Sequence, residues 1–263
     1  MKPVVLITGA SAGIGAALAK VFAAHQHEHG HTLALAARRQ DRLEVLADEI
    51  AATGQPRPTV ITADLERRDG PSAIAAELSS QGLEPAIVVN NAGFGLSGAA
   101  AELSRDEQLA MIDLNVRALT ELSLMFVDSL ARHRGGVLNV ASVAAFLPGP
   151  GMAVYYASKA YVLSFSEALH RELSERGIRV TALCPGAVPT EFQARAGLSL
   201  NAAARALELS AERVAQIGYD AFMAGKRVAI AGIGNRIGVF FMRLVPHALL
   251  MHLVDQTRAK AAK

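Results

Sequence analysis

Short apolar runs alternate with longer stretches of helical period along almost the whole chain. Seven runs are predicted to be strands, at residues 4–7, 32–36, 59–62, 86–89, 136–140, 179–183 and 227–230. Each run is continuously apolar rather than alternating, which is typical of strands buried on both faces. Six stretches with helical spacing are predicted to be helices, at residues 13–28, 41–53, 70–81, 104–133, 152–176 and 210–224.

Strands and helices that alternate through short turns predict right-handed β-α-β units, and therefore a parallel sheet with helices on both faces. No linker rich in Pro, Gly or Ser interrupts the pattern, and no internal repeat is present. Residues 1–263 are therefore predicted to form a single α/β domain of the doubly wound, Rossmann type, with seven parallel strands. Hydrophobic residues make up 51% of the chain, which is enough for a core of this size.

Charge and cysteine content narrow the classes of function. The formal net charge of +2 gives no reason to expect nucleic acid or an acidic membrane surface as a partner, although a local basic patch is compatible with it. Cys184 is the only cysteine, so the chain has no intramolecular disulfide and no cysteine cluster for zinc. The apolar run at residues 4–7 is too short for a signal peptide. We therefore expect a cytoplasmic protein without a metal site.

A glycine-rich turn follows the first predicted strand, with the sequence Thr8-Gly9-Ala10-Ser11-Ala12-Gly13-Ile14-Gly15. Its glycines permit a tight turn and a close approach of backbone to phosphate, while the next helix begins with unpaired N–H groups and a positive dipole end. The spacing Gly-x3-Gly-x-Gly differs from Gly-x-Gly-x-x-Gly, and a plain tight turn is an alternative for the motif alone. Its position between strand and helix favours a dinucleotide site.

Two arginines, Arg38 and Arg39, follow the second predicted strand. Proteins that bind NAD usually place an acidic residue here for the ribose 2′-hydroxyl, whereas the first acidic residue in this chain is Asp41. Guanidinium groups suit a 2′-phosphate by charge and by their forked donors. We therefore predict a preference for NADP(H), with Arg38 as the main phosphate contact and Arg39 either assisting it or only beginning the next helix.

Three further segments should emerge at the same edge of the sheet: Asn90-Asn91-Ala92-Gly93, Ser142, and Tyr155-Tyr156-Ala157-Ser158-Lys159. Tyr155 and Lys159 are four residues apart on a predicted helix and therefore share one face. A nearby ammonium favours the phenolate, so Lys159 is expected to lower the pKa of Tyr155 from its ordinary value of about 10. Ser142 is placed to hydrogen-bond a substrate oxygen.

In this ordered set of motifs the chain resembles the short-chain dehydrogenase/reductase family in its single-domain form. The resemblance runs from residue 3 to about residue 231. It is carried by the turn at residues 8–15 and by Asp64, Asn90-Asn91-Ala92-Gly93, Asn115, Ser142, Tyr155-x3-Lys159, Pro185-Gly186 and Thr190. Each motif alone is weak evidence for the family, but the ordered set of motifs is specific to it.

The resemblance implies a role for each matching residue. Tyr155 would act as the general acid or base at the substrate oxygen, and Ser142 would orient the carbonyl. Lys159 would lower the pKa of Tyr155 and bind the nicotinamide ribose, while Asn115 would hold a water molecule that links Lys159 to solvent. Asp64 would contact the adenine amino group.

The remaining landmarks would position the cofactor. Asn91 and Gly93 would line the adenine-side ribose, and Thr190 with the backbone after Pro185-Gly186 would hold the carboxamide. The full predicted cofactor set is Gly9, Ser11, Gly13, Ile14, Gly15, Arg38, Arg39, Asp64, Leu65, Asn91, Ala92, Gly93, Tyr155, Lys159, Pro185, Gly186, Val188 and Thr190.

Tyr156 competes for the role of Tyr155, because it lies three residues before Lys159 and also shares a helix face with it. The family spacing, four residues to the lysine and thirteen from Ser142, favours Tyr155.

Two segments break the alternating pattern. Residues 186–209 follow the sixth strand without a clear period and are predicted to form a lid over the substrate. The apolar tail, residues 235–263, is interrupted by Arg243, Pro246 and His247, and its apolar stretch falls short of the roughly 20 residues that span a bilayer. It is expected to form short amphipathic helices packed on the domain or on a second subunit, or alternatively a substrate-side cover or a peripheral membrane contact.

Four histidines, at positions 25, 27, 29 and 31, raise the alternative of a metal site, since His25 with His29, or His27 with His31, has helical spacing. A solvated helix end is the favoured interpretation, because the stretch is remote from the predicted chemical edge.

The predicted function is hydride transfer between NADP(H) and a small-molecule carbonyl or alcohol, in the reductive direction. Homodimers or homotetramers through helices 104–133 and 152–176 are implied by the resemblance. Two alternatives stay open, a ketoacyl-thioester reductase of lipid metabolism and a non-catalytic nucleotide-sensing binder. Small and apolar side chains in residues 144–152 and 186–209 indicate only that the substrate pocket is not strongly charged.

Overall fold

A computed structural model of the chain describes residues 1–197, 205 and 207–244. Its strands are β1 (Lys2–Thr8), β2 (Thr32–Ala37), β3 (Thr59–Thr62), β4 (Leu83–Asn90), β5 (Gly136–Val140), β6 (Arg179–Cys184) and β7 (Val228–Ile230). They are parallel throughout and form one sheet in the order β3-β2-β1-β4-β5-β6-β7. The predicted seven-stranded, doubly wound sheet is confirmed.

The helices of the described residues follow the predicted stretches, except that His25 divides the stretch 13–28 into two helices and that an unpredicted helix forms within the predicted lid. They are α1 (Gly13–Ala24), α2 (Gln26–His29), α3 (Gln40–Ala52), α4 (Gly70–Ser80), α5 (Arg105–Ile112), α6 (Leu119–Met125), α7 (Val127–Arg132), α8 (Ala153–Ser174), α9 (Glu191–Arg195), α10 (Ala211–Met223) and α11 (Ile233–Leu244). A π-helical turn spans Asp113–Ala118, and a 3₁₀ turn spans Val143–Phe146.

Alternate residues of each strand face opposite helical layers, which is why the strands are apolar throughout. Val5 and Ile7 of β1 pack with side chains of α1, α3 and α10. Val4 and Leu6 pack with side chains of α4, α5, α6 and α8. All four β1 side chains are fully buried. Burial of a large aliphatic side chain contributes about 1.5–3 kcal/mol, so the two faces together make the sheet the centre of the fold.

The stretch 104–133 is helical, but it is not the single helix that its period predicts. The π turn at Asp113–Ala118 joins α5 to α6, and the chain leaves helical geometry at Phe126 before α7 begins. A π turn inserts one residue into the helical spiral and is frequent at functional sites. Here it contains Asn115, whose side chain is buried against the loop that follows β4.

The predicted tail begins in a helix. Its α11 starts at Ile233, two residues before the predicted start, while residues 245–263 lie outside the described part of the chain, as do residues 198–204 and 206 of the predicted lid. Among the described helices, none combines the length and the apolar character that a bilayer crossing requires.

The histidine-rich stretch forms the short helix α2 at the far end of α1. Glu28 of this helix accepts a hydrogen bond from the hydroxyl of Tyr219 at 3.0 Å. Within the described residues there is no cluster of three or more His, Cys, Asp or Glu side chains that would hold a metal ion.

A buried polar network crosses the interface between the sheet and helices α6 and α8. Asn90 and Asn139 are register partners on β4 and β5, and the Asn90 amide donates to the Asn139 oxygen at 2.9 Å and to the Ser123 hydroxyl at 2.9 Å. The Asn139 amide in turn donates to the Ser166 hydroxyl at 2.9 Å. These residues are nearly or fully inaccessible to solvent, so each bond replaces one that water cannot supply.

We expect Asn139→Ala to lower the free energy of unfolding by about 1–3 kcal/mol, because the buried Asn90 amide loses one of its acceptors and the Ser166 hydroxyl loses its donor. Urea denaturation measures the change. Gln216→Ala removes an exposed amide that donates to Asp220 and should change stability by less than about 0.5 kcal/mol. Equal effects of the two substitutions would contradict the role assigned to the network.

Candidate active site

A cleft of about 630 Å³ opens at the carboxyl edge of the sheet, where the strand order reverses between β1 and β4. Ligands of doubly wound sheets bind at such a reversal, because the loops on its two sides diverge. The cleft runs from the ends of β2 and β3, past the turn after β1, to Ser142, Tyr155 and Lys159. All the predicted site residues line it except Gly15 and Asn115.

The glycine turn has the geometry that its sequence predicts. Gly9 and Gly13 have φ values of +64° and +55°, which favour glycine. No side chain caps the start of α1, so its first N–H groups have no side-chain acceptor. The turn therefore presents backbone donors to the cleft.

Gly15 is needed for packing rather than for contact with a ligand, which corrects its predicted place in the cofactor set. A Cβ atom at this position would lie 2.2 Å from the carbonyl oxygen of Gly9 and 2.4 Å from the side-chain nitrogen of Asn91. Gly15 thus lets α1 start directly behind the turn.

The turn after β1 is fastened to the loop after β4 by two side chains. The Thr8 hydroxyl donates to the carbonyl oxygen of Val89 and accepts the backbone N–H groups of Asn91 and Ala92 at 3.1 and 3.2 Å. The Asn91 amide donates to the carbonyl oxygens of Thr8 and Gly9 at 3.0 and 3.1 Å. Asn91 therefore fixes the glycine turn as well as lining the cleft.

Arg38 and Arg39 both reach the cleft, and both are already engaged by carboxylates. Arg38 forms an ion pair with Glu66 at 2.9 Å. Arg39 donates to the Ser11 hydroxyl through two nitrogens, at 3.1 and 3.3 Å, and to Glu191 at 2.8 Å. Arg39 is the residue before α3, as the alternative interpretation expects, yet its guanidinium extends back over the glycine turn.

The loop after β3 completes this end of the cleft. Asp64 accepts the backbone N–H of Glu66 at 3.0 Å, which closes a local turn, and Leu65 is buried beside it. Both residues line the cleft as predicted.

Tyr155 is buried at the opposite end of the cleft and is hydrogen-bonded to Ser142. Burial disfavours the phenolate and raises the pKa of Tyr155 to about 12, although the Ser142 hydrogen bond acts in the opposite direction. The predicted lowering of this pKa by Lys159 is not seen in this arrangement of side chains. Ser142 also accepts the backbone N–H of Ala144 at 3.1 Å, which fixes its hydroxyl at the start of the 3₁₀ turn.

Lys159 lies one helical turn beyond Tyr155 and is also buried. Its ammonium donates to the carbonyl oxygen of Val140 at 2.9 Å and lies 5.9 Å from the centre of the Tyr155 ring. Burial lowers the pKa of Lys159 to about 8, because few groups replace the hydration of the charge.

Asn115 lies behind the cleft wall, between the loop after β4 and α8. Its oxygen accepts the backbone N–H of Phe94 at 3.1 Å, and its amide donates to the carbonyl oxygen of Phe94 at 2.9 Å and to the Ser158 hydroxyl at 3.1 Å. A Cβ atom on Gly93 would come within 2.9 Å of the Asn115 oxygen and 3.5 Å of the Lys159 ammonium. Only the small Gly93 separates Asn115 from Lys159.

The described part of the predicted lid lies over the cleft. Thr190 packs on Gly13, and the Phe192 ring lies 5.4 Å from the Tyr155 ring, measured between centres. Arg195 stacks on the Phe94 ring at 4.0 Å and approaches Glu66 at 3.5 Å. Helix α9 therefore contacts both ends of the cleft.

The cleft residues that were not in the set predicted from the sequence include Glu66, Glu191, Phe192 and Arg195. Glu66 lies two residues after Asp64 at the end of a predicted strand, and this position was a usable signal. The three α9 residues fall within the predicted lid, but nothing in their spacing indicates which of them face the cleft.

Several known proteins are similar to this chain in sequence. A sequence profile of the short chain dehydrogenase family matches residues 3–200. Sulfoacetaldehyde reductase 2 of Chromohalobacter salexigens is 38% identical over 200 residues, which is 73% of this chain and 75% of that protein. An NADP-dependent 3-hydroxy acid dehydrogenase of Salmonella typhi is 35% identical over 194 residues, 72% of this chain and 74% of that protein.

Solved structures of short-chain dehydrogenases are also similar to this chain. A short-chain dehydrogenase from Sphingobium yanoikuyae, in complex with NADPH, is 31% identical, with a TM-score of 0.77 over 100% of this chain and 95% of that one. The chain belongs to the short chain dehydrogenase family, a family of oxidoreductases. The family and fold predicted from the motifs are confirmed.

The buried Lys159 gives stability a pH dependence whose sign follows from its pKa. The ammonium titrates at its ordinary 10.5 in the unfolded chain and at about 8 in the folded protein. Between these values the unfolded chain holds the proton more often, so the free energy of unfolding rises with pH. Relative to Lys159→Met, the wild type should gain about 3 kcal/mol from pH 8 to pH 10.5.

Urea denaturation of both proteins across this range, without added cofactor, measures the gain. Tyr155 is present in both, so its own titration cancels in the difference. Two curves that stay parallel would contradict the lowered pKa.

Proposed function

We propose that this chain is an NADP(H)-dependent oxidoreductase that reduces a ketone or aldehyde to the alcohol. The observation that carries the proposal is the buried group of Ser142, Tyr155 and Lys159 at one end of a cleft whose other end holds Arg38 and Arg39. A reactive centre and a cationic anchor at opposite ends of one cleft suit a dinucleotide with a 2′-phosphate.

The residues between these ends fit such a cofactor. Backbone donors at the start of α1 and the positive-φ glycines of the turn suit a pyrophosphate. Arg38 and Arg39 would hold the 2′-phosphate, and the segment from Pro185 to Thr190 would hold the nicotinamide. The bound nicotinamide supplies the hydride. Relatives described with NADPH or as NADP-dependent support the choice of cofactor.

Tyr155 is the proton donor in this proposal. A pKa of about 12 keeps its phenol protonated throughout the physiological range, which suits donation to the oxygen of a carbonyl that is being reduced. The reverse reaction requires the phenolate, which burial disfavours. Ser142 would orient the carbonyl oxygen beside the phenol.

Lys159 would stabilise the phenolate that proton donation leaves behind. Its ammonium is on the same side of the site, and the interaction between the two charges is strong where water is excluded. Asn115 is placed to hold the loop that separates it from Lys159, and we propose that it also holds the water through which Lys159 exchanges its proton.

The residues around the phenol indicate the chemical character of the substrate. Phe94, Met152 and Phe192 line the substrate end of the cleft. We propose that residues 186–209 form the substrate lid and that the carbonyl compound is uncharged next to its reacting group.

We further propose that copies of the chain pair through α5, α6 and α8. Leu109, Ile112, Leu124 and Tyr161 are large side chains exposed on these helices, which supports an interface between subunits. A cytoplasmic location completes the proposal, since the single cysteine, Cys184, is buried and does not depend on an oxidising compartment.

The test of the reaction is NADPH oxidation over a panel of ketones, aldehydes, quinones and acyl thioesters. We expect Tyr155→Phe to lower turnover of every active substrate by at least about 10²–10⁴-fold, because phenylalanine carries no proton to donate. Tyr156→Phe is the matched control and should retain most of the activity. Loss of activity in Tyr156→Phe alone would overturn the assignment of Tyr155.

The arginine pair makes a separate prediction about the cofactor. Arg38→Ala should lower kcat/KM for NADPH by about 10–100-fold and leave kcat/KM for NADH nearly unchanged, because only the phosphate requires the guanidinium. Arg39→Ala tests the second arginine in the same assay. Arg57→Ala removes an exposed arginine paired with Glu44 and Asp48 and serves as the control. A wild-type enzyme that prefers NADH would refute the choice of cofactor.

A further inference from the structure

Helix α11 carries a stripe of large apolar side chains on its outer face. Ile233, Ile237, Phe240 and Phe241 occupy positions i, i+4, i+7 and i+8, which lie on one side of a helix. Their exposed fractions are 75%, 53%, 60% and 60%. Four large apolar residues exposed within nine positions form a continuous patch, unlike the single exposed apolar residues that are common on proteins.

The opposite face of α11 attaches the helix to the domain. Val239 is buried, and the Asn235 amide donates to the carbonyl oxygen of Ala231 at 2.8 Å. A Cβ atom on Gly186 would lie 2.4 Å from this amide, so Asn235 rests on the wall of the cleft. The apolar stripe therefore points outward because the inner face is already used.

Charge distinguishes this end of the chain from the rest. Residues 233–263 contain five Lys or Arg residues and one acidic residue, Asp255, whereas the whole chain has a net charge of only +2. The stretch itself carries +4 and the remaining residues carry −2. Within α11, Arg236 is exposed beside the apolar stripe, and the helix has no acidic residue.

The apolar stripe and the basic residues together indicate whether a second copy of the chain or a lipid surface covers the stripe. A second copy of the same helix would bring together two helices that each carry two arginines and no acidic residue, which opposes pairing. An anionic lipid surface attracts the same cations and accepts isoleucine and phenylalanine side chains among its acyl chains. We propose that α11 docks this protein on the surface of a membrane that contains anionic lipid.

The proposal does not depend on the reaction catalysed, and it concerns contact with one leaflet. The helix lies in the interface with its stripe toward the acyl chains, while the domain stays in water. Because Asn235 on the inner face of α11 lies against Gly186, a docked α11 lies between the cleft wall and the lipid surface.

Cosedimentation of the full chain with vesicles tests the proposal. Vesicles of phosphatidylcholine with phosphatidylserine should bind the wild type, and pure phosphatidylcholine vesicles should bind it more weakly. The double substitution Phe240→Ser with Phe241→Ser should lower the partition coefficient by at least about tenfold, because both rings leave the acyl region. Arg236→Gln should lower it about fivefold on anionic vesicles alone.

Val45→Ser is the matched control, since Val45 is 57% exposed on α3 and lies outside the stripe. It should bind vesicles like the wild type. Unchanged thermal midpoints show that the variants are folded. Failure of the wild type to cosediment, or equal binding by the double variant, would overturn the proposal. So would a fall in molecular mass of the double variant in sedimentation velocity without lipid, because that result identifies an interface between copies.

Discussion

The hydrogen bonds between Thr8 and Asn91 hold the two sides of the site together. β1 and β4 are adjacent strands whose crossovers leave in opposite directions, so their following loops have no reason to meet unless side chains join them. The Thr8 hydroxyl and the Asn91 amide make that connection through five hydrogen bonds. The glycine turn and the loop leading to Gly93 are thereby fixed as one unit.

The ionisable side chains of the site lie where burial disfavours their charged forms. Ser142, Tyr155 and Lys159 are all buried, and burial shifts the pKa of Tyr155 upward and that of Lys159 downward, so each is displaced toward its neutral form. Buried ionisable groups of this kind cost stability, which is a common expense of an active site. The same exclusion of water strengthens any charge interaction that develops during proton transfer. The exclusion of water at this end of the cleft therefore both lowers the stability of the fold and strengthens the charge interactions of proton transfer.

The sequence was informative wherever a local pattern determined the outcome. All seven strands were predicted, because continuous apolar runs have few other structures available to them in a chain of this kind. Other features depend on distant contacts and leave no local pattern. The π turn contains Asn115, whose amide pairs with the backbone of Phe94, twenty-one positions away. Gly15 was recognised as part of a motif, but its spacing did not reveal that it faces Asn91 and not the cleft.

The direction of a pKa shift is equally hard to obtain from spacing. Tyr155 and Lys159 share a helix face, which predicted a lowered phenol pKa, yet the ammonium turns toward the carbonyl oxygen of Val140 on the neighbouring strand. The sign then follows from burial, a property of the whole fold. A motif can identify the partners of a proton transfer, but the packing around them determines their charge.

The arginines at the far end of the cleft illustrate how the two ends are connected. Glu66 binds Arg38 and Arg195 together, and Glu191 binds Arg39. An anion that approaches Arg38 and Arg39 therefore competes with carboxylates that also hold α9, the helix that carries Phe192 against Tyr155. These pairs are partly exposed and individually weak, so an incoming phosphate can replace them at small cost. Because Glu191 is part of α9 and Glu66 pairs with Arg195 of the same helix, occupancy of the arginine end bears directly on how firmly α9 covers the substrate end.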